Sequence, residues 1–211
     1  SVLAAFQTAM KNLGSSTTPQ FSGFAASSSD VKVVTATSNN AAVNGSYVIK
    51  VDNLATSAKV ASEAFTDASS AIAEGALTIK LNNKDYVLDV PADATLQSVR
   101  DLINTKFQGD GINANIITDS NGSRLVLGSS ATGAGSEISV SGVMTIDGSQ
   151  AMAGDPLDPL APLGAGRIGD EATDAKFSVD GLSMTSKTNT IDNAVSGLSF
   201  NLLAGGGATS T

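Results

Sequence analysis

The chain has 211 residues, of which 41% are hydrophobic but only 4% aromatic, and it holds no Cys, no His and no Trp. Without Cys or His it lacks disulfides, thiolate nucleophiles and thiolate metal sites, and it lacks the usual general base and the commonest transition-metal ligand. Twenty acidic against twelve basic residues give a net charge of −8, which argues against nucleic acid, and no apolar run reaches the roughly 18 residues of a membrane span.

Residues 1–13, SVLAAFQTAMKNL, place Leu3, Phe6, Met10 and Leu13 at helical intervals, with Gly14 as a stop. That stripe fits either a helix packed on its own domain or the stub of a longer bundle. The start at Ser1 shows no Met and no basic-then-apolar leader, so no secretory signal is read. From Gly14 to Asp30 a polar, Ser/Thr-rich stretch with Pro19, Phe21 and Phe24 reads as an extended connector.

VKVVTAT (31–37) predicts a strand, and the Asn44-Gly45 pair predicts a hairpin turn leading into a second strand around Tyr47, Ile49 and Val51. Leu54, Ala58, Ala61 and Phe65 are spaced for one buried face of a helix. ALTIKL and DYVLDV, joined across Asn82-Asn83-Lys84, predict a hairpin with Leu77, Ile79, Leu81, Tyr86, Leu88 and Val90 inward.

Pro91 ends that hairpin. Thr95 is a good N-cap for the helix LQSVRDLINTKF, which buries Leu96, Val99, Leu102, Ile103 and Phe107. GINANII alternates Ile112, Ala114 and Ile116, turns at 119–122 and returns as RLVLG; EISVSG and VMTID add one or two strands. Residues 148–174 hold three of the five prolines and no period, so they read as a linker or long surface loop.

Strands resume at Lys176, with an Asp180-Gly181 turn. Then come a capped helical turn, IDNAV, with Thr190 as cap, an exit at Gly197 and a last strand through Leu198, Phe200 and Leu202.

The expected fold class is mainly β, of the α+β kind. Two β-rich domains are expected, the second (β-β-α-β-β with extra strands) inserted into the first, with a short N-terminal helix. The expected division is 1–30 as helical stub and connector, 31–70 as the first part of the outer domain, 71–174 as the inserted head domain with its Pro/Gly loop at 148–174, and 175–211 as the second part of the outer domain. Strands within 31–65 should then pair with strands within 176–203.

Chemistry is sparse. Asp89, Asp93, Asp110, Asp119, Asp155 and Asp158 sit beside turns, where Asp caps local N–H groups, and no second catalytic group type gathers near them. DSNGS (119–123) and DGSQAMAGD (147–155) lack the ligand spacing of a calcium loop. GAGSE and AGGGATST lack a phosphate-cradle context, and the two Asn-Gly-Ser matches to the glycosylation sequon read as tight turns. Ser186-Lys187 has no elbow motif. No residue is therefore assigned to catalysis, to a cofactor or to a metal, and the loop Asp147–Asp158 is where several oxygens are best placed to converge.

The order of segments resembles the flagellar hook-associated protein 2 family, the filament caps. TATSNNAAVNGSYVIKVDNLATSAKVASEAF is similar to that family's strand, Gly-Ser-Tyr, strand, Leu-Ala block. LQSVRDLINTKFQGDGINANIITDSNGSRLVLGSSATG resembles the IN motif shared by caps, hook-associated proteins and flagellins, marked by Ile103-Asn104, Gly111-Ile112-Asn113-Ala114 and Thr132-Gly133. The closing block carries Phe177, Val179, Asp180, Gly181, Asn189, Ile191, Asp192 and Gly197 in the family's pattern; an Arg common after the Val-Asp-Gly strand is replaced near Lys187.

The resemblance covers most of 31–203 and marks the chain as a head-domain fragment, with the family's long terminal helices missing. It implies a secreted, extracellular structural protein at the flagellum tip, not an enzyme, without cofactor. The implied partners are itself, in a pentamer-like ring in the full-length protein, and flagellin; a host surface or mucin is a further candidate, and nucleic acid and membrane are not. An adhesin-like surface-binding module and a flagellin or hook-filament junction fragment are the alternatives. On this reading the fragment itself should be monomeric or weakly associating, its heads carrying like charge.

Overall fold

The computed structural model describes residues 3, 4, 6, 7, 10, 24–154 and 163–211. In chain order the elements are β1 (Val34–Ser38), β2 (Ile49–Asn53), β3 (Ser57–Ala61), β4 (Gly75–Leu81), β5 (Lys84–Val90), α1 (Leu96–Phe107), β6 (Ile112–Asp119) and β7 (Gly122–Thr132). There follow β8 (Ile138–Gly142), β9 (Gly166–Arg167), β10 (Ala175–Val179), β11 (Leu182–Ser186), β12 (Thr190–Val195), β13 (Leu198–Leu202) and β14 (Ala208–Ser210). Among the described residues the fold is mainly β, with helix α1 and helical backbone at residues 3, 4, 6, 7 and 10. It divides into two compact units: an outer one of Ser1–Asp52, Phe177–Met184 and Asn189–Thr211, and an inner one of Asn53–Lys176 with Thr185–Thr188.

The inner unit is built around two hairpins. Asn82 and Asn83 adopt φ of 52° and 61°, the left-handed pair that a two-residue turn of right-twisted strands needs, and Asn tolerates it better than most residues. The turn fixes the β4–β5 register, with Leu77 opposite Leu88 and Ile79 opposite Tyr86, so one face of each strand is apolar. β8 pairs on the other side of β4 to give the order β5-β4-β8, and the second sheet runs β6-β7-β3-β9. Leu77, Ile79, Leu96, Ile103, Ile112, Leu125, Leu127 and Ile138 are fully buried in one cluster.

Helix α1 is started by a reciprocal cap. The Ser98 N–H donates to Thr95 Oγ1 at 3.2 Å while the Thr95 N–H donates to Ser98 Oγ at 2.8 Å. Thr95→Ala leaves the Ser98 N–H without its acceptor and is expected to lower stability by about 1 kcal/mol; a shift of the urea midpoint at unchanged slope is the measurement. The helix buries Leu96, Val99, Ile103 and Phe107 as expected, while Leu102, also expected inside, is half-buried at the edge of the core, and the Tyr86 ring stands edge-on to Phe107 at 5.5 Å.

The outer unit holds two sheets, of order β1-β13-β12 and β11-β10-β2-β14. Asp180 and Gly181, at φ of 49° and 83°, make the predicted tight turn between β10 and β11. The Asp180 carboxylate then accepts the Val48 N–H at 2.8 Å, tying the turn to the residue before β2.

Several local expectations give way to strand pairing. Leu54–Phe65 is not a helix: Ser57–Ala61 is strand β3, antiparallel to β7 on one side and β9 on the other. The stripe Leu54, Ala58, Ala61 and Phe65 has helical spacing, but within β3 Ala58 and Val60 are buried on either side of an exposed Lys59, the alternation of a strand. Asn44-Gly45 does not close a hairpin: β1 pairs with β13, and β2 lies in the other sheet beside β10 and β14. IDNAV is not helical either; Thr190–Val195 forms β12, with Ile191 opposite Phe200 and a bulge between Asp192 and Val195 that absorbs the helix-like spacing.

The strand expected from Val31 begins at Val34, because Asp30 first holds a turn by accepting the Val33 and Val34 N–H groups on its carbonyl. The expected pairing of 31–65 with 176–203 holds for β1 and β2 but not for β3. In the N-terminal stripe Leu3, Phe6 and Met10 are exposed; Leu13, Gly14, Pro19 and Phe21 lie outside the described residues. So does the middle of the 148–174 loop, but its flanks are paired: the Arg167 N–H donates to the Gln150 carbonyl, and the Met152 N–H to that of Arg167 at 3.0 Å.

Candidate functional site

A sheet whose edge strands are open exposes rows of unpaired N–H and C=O groups, so the way those edges are closed decides what the unit can associate with. In the inner unit α1 closes two of them. Asn104 projects from the helix to β6, accepting the Ala114 N–H on Oδ1 at 2.7 Å and donating from Nδ2 to the Ala114 carbonyl at 2.9 Å. One side-chain amide thus occupies both outward-facing groups of a β6 residue, as a neighbouring strand would. Two residues on, Lys106 Nζ donates to the Val87 carbonyl of β5 at 2.8 Å. At β8, Val140 and Ile146 exchange backbone hydrogen bonds of 2.8 and 2.9 Å, which covers that edge as well.

A second clasp gathers the residues after β7. Thr132 Oγ1 donates to the Lys187 carbonyl at 2.6 Å, Lys187 Nζ to the Ala134 carbonyl at 3.2 Å, and the Ala134 N–H to Asp174 Oδ1 at 2.8 Å. Gly133, at φ 91°, sits so close that a Cβ would lie 2.8 Å from the Lys187 backbone. This explains the Thr132-Gly133 pair in physical terms: any side chain at 133 would expel the 185–188 segment.

Two arginines do work that the sequence did not advertise. Arg124 is buried, and its guanidinium donates to the Ser62 carbonyl at 2.7 Å and to that of Leu163. Arg167 donates to the Ser149 carbonyl at 3.0 Å and pairs with Glu171 at 3.3 Å, pinning the 147–152 turn. Arg124 carries no local signal, since both its carbonyl partners are far away in the chain, and for Arg167 the local partner Glu171 gives no hint of the Ser149 carbonyl.

The candidate chemical residues stay apart. Asp110 forms an exposed ion pair with Lys84 at 3.2 Å, and Asp119 accepts the Asn121 N–H at 2.7 Å. Asp93 adopts φ 61° in the turn after Pro91. Ser186 Oγ accepts the Thr188 N–H at 3.1 Å while Lys187 points to Ala134, so the two do not form a dyad. Asp155 and Asp158 lie outside the described residues. Among the described residues no three acidic groups gather as a metal site, and no helix is long and apolar enough to cross a membrane.

Asp147 accepts both the hydroxyl of Ser149, at 2.7 Å, and its N–H, at 2.9 Å. These bonds, the hydroxyl's first, hold its carboxyl below the usual carboxylate range. A depressed folded pKa contributes above the unfolded value and is lost as pH falls through the folded one. A carboxyl-detected NMR titration should place the Asp147 midpoint low, and Ser149→Ala should move it upward; an unmoved midpoint would assign the shift elsewhere.

The outer unit carries a groove of about 400 Å³. Val34, Ile49 and Phe200 form its floor, Ser28 and Ser210 one rim, and Asn44 and Tyr47 another. The serine rim is ordered, with Ser28 Oγ 2.7 Å from Ser210 Oγ and the Ser29 N–H donating to the Thr211 carbonyl at 2.8 Å. Of the described residues lining the groove, Tyr47 is the one with an ionisable side chain. In the inner unit the covered edges of β5, β6 and β8 suit packing through side chains.

Comparison with known proteins bears directly on this reading. The family model described as the flagellar hook-associated protein 2 N-terminus matches residues 1–58, the corresponding C-terminus matches 172–211, and the flagellin hook IN motif matches 76–132. The A-type flagellar hook-associated protein 2 of Pseudomonas aeruginosa is 36% identical over 215 residues, covering 96% of this chain and 44% of its own length. The B-type protein of the same species is 34% identical, covering 97% and 44%. The chain therefore spans less than half the length of these curated relatives.

The crystal structure of FliD from Pseudomonas aeruginosa PAO1 superposes with a TM-score of 0.68 at 32% identity, over 84% of this chain and 83% of that one. The D1-D2-D3 domains of the Escherichia coli flagellar cap protein FliD superpose with a TM-score of 0.70 at 28% identity, over 99% and 59%. The IN motif alone is shared with flagellins; the N- and C-terminal models on either side of it separate the two. The chain belongs to the flagellar hook-associated protein 2 family.

Proposed function

We propose that this chain is the head region of a flagellar filament cap, which sits outside the cell at the filament tip and holds exported flagellin while it inserts. The observation that carries the reading is the match to the E. coli cap protein over 99% of the chain. The covered edges of β5, β6 and β8 in the inner unit fit it, because a head repeated around a tip must meet its neighbours through side chains and not through runaway strand addition. In the parent protein the cap is a homo-oligomer, with the inner unit as an insertion in the outer domain. Its action is mechanical, with binding energy in place of catalysis.

The test is genetic. In the source bacterium, deletion of the parent gene should abolish filaments and release flagellin into the medium, and the intact gene should restore them. An antibody to this chain should mark filament tips. Normal filaments in the deletion strain, or label along the whole filament, would overturn the reading. No metal role is assigned, so chelator should leave the Tm unchanged. A drop that Asp155→Asn abolishes would instead mark a cation site near 147–158.

A further inference from the structure

The sequence contains two Asn-Gly pairs, Asn44-Gly45 and Asn121-Gly122, and they sit in opposite environments. Asn-Gly is the dipeptide most open to internal attack by a backbone nitrogen on the side-chain amide, since Gly adds no Cβ to obstruct the approach. The attack requires the backbone to rotate until the Gly nitrogen reaches the Asn Cγ. A residue locked in a hydrogen-bonded ladder cannot do this.

Asn121-Gly122 is locked. The Asn121 N–H is held by Asp119, and Gly122 stands opposite Asp119 at the end of the β6–β7 ladder. Its φ is 126°, and a Cβ there would lie 2.0 Å from the Phe65 carbonyl oxygen. Next to it, Ser123 and Phe65 exchange backbone hydrogen bonds of 2.7 and 2.8 Å.

Asn44-Gly45 is open. Both residues are exposed in the irregular segment between β1 and β2. Among the described residues, neither the Asn44 amide nor the Gly45 N–H has a hydrogen-bond partner. The segment is anchored at both ends instead, by the Ala42 N–H on the Asn39 carbonyl and the Val48 N–H on Asp180, so the pair can rotate without unfolding a strand.

We propose that Asn44 is a site of spontaneous covalent modification in the folded protein. The Gly45 nitrogen loses its proton to hydroxide and attacks Asn44 Cγ. The new C–N bond closes a succinimide ring as the Cγ–Nδ2 bond breaks, and ammonia leaves after taking up a proton from water. Water then adds to either ring carbonyl. Addition at one gives aspartate, and addition at the other gives isoaspartate with the main chain rerouted through Cβ.

Either product puts a carboxylate on the rim of the outer-unit groove beside Tyr47 and takes the net charge from −8 to −9 (−8 − 1). The inference depends on the local chemistry alone and stands whether or not the chain caps a filament.

The test incubates the folded chain at mildly alkaline pH and body temperature. Peptide mapping then follows the mass gain of amide-to-acid conversion, and enzymatic methylation detects isoaspartate. Conversion is expected at Asn44 and not at Asn121, with a matching new peak on anion exchange. In denaturant both pairs should convert at similar rates, which shows that the fold makes the difference. Asn44→Gln is expected to remove the new peak; it is preferred to Gly45→Ala, whose Cβ would press on the Tyr47 hydroxyl at 3.1 Å. Conversion at Asn121 as fast as at Asn44, or an intact Asn44 in the folded chain while it converts in denaturant, would overturn the proposal.

Discussion

Asn104→Leu is expected to destabilise the inner unit by about 2–6 kcal/mol and to promote self-association. Ala114 is buried, and its N–H and carbonyl both bond to the Asn104 amide. Leu keeps the volume but leaves two backbone groups unpaired, each costing about 1–3 kcal/mol. Asn104→Asp is the sharper variant. Its carboxylate still accepts the Ala114 N–H, but where Nδ2 donated it now presents an oxygen to the Ala114 carbonyl. The Asp variant should therefore be destabilised nearly as much as the Leu variant despite being closest in size.

Urea denaturation gives the loss of stability, amide exchange at Ala114 localises it, and light scattering reports whether the opened β6 edge recruits a second copy. An Asp variant as stable as the parent would mean that the Nδ2 bond contributes nothing and that the edge is protected by other means. Retained stability with new association would mean that Asn104 guards the edge without holding the unit together.

What could be read from the sequence was whatever local chemistry decides. The hairpin at Asn82-Asn83, the cap at Thr95, the apolar face of α1 and the Asp180-Gly181 turn are each set by a handful of neighbouring residues, and they appear where expected. Errors cluster where a distant strand outbids local preference. Ala58 and Ala61 sit at helical spacing, yet both lie in β3, where Ala61 stands opposite Val126 of β7 on one side and Gly166 of β9 on the other. Thr190 is a good cap residue, but its hydroxyl turns to Asn201 across the β12–β13 ladder at 2.8 Å. Asn44-Gly45 carries the strongest short hairpin signal, but β1 and β2 go to different sheets, so there is no hairpin for it to close.

The same limit applies to the clasps. Ile103-Asn104 was visible as a motif, while the target of its amide ten residues on was not, because nothing in periodicity says which backbone group an amide will reach. Arg124 gave even less warning: its carbonyl partners lie at residues 62 and 163.

Gly197→Ala is expected to be among the most damaging single substitutions in the outer unit, and Gly181→Ala among the mildest at a similar backbone angle. Both glycines have positive φ, 76° and 83°, and both follow the first residue of a turn between paired strands. Placing an L side chain in that region costs roughly 1–2 kcal/mol by itself. At Gly181 nothing lies within 4 Å of the added Cβ, so that cost is the whole expected effect.

At Gly197 the added carbon would lie 2.1 Å from the Ala42 nitrogen and 2.5 Å from the Ala41 carbonyl carbon. Those are backbone atoms, held there because the Asn39 N–H donates to the Gly197 carbonyl at 2.9 Å and Ala42 is buried. Relief requires the β12–β13 turn to move off the 39–42 turn, breaking that bond and uncovering Ala42. The combined loss should exceed about 4 kcal/mol, the range reserved for substitutions with a named steric cause.

Hydrogen exchange should show protection lost across β1, β12 and β13 in the Gly197 variant while β4, β5 and α1 keep theirs. Equal, mild losses for the two variants would mean that the turns do not meet as closely as described. The register by which Phe200 faces both Ala36 and Ile191 would then need another anchor.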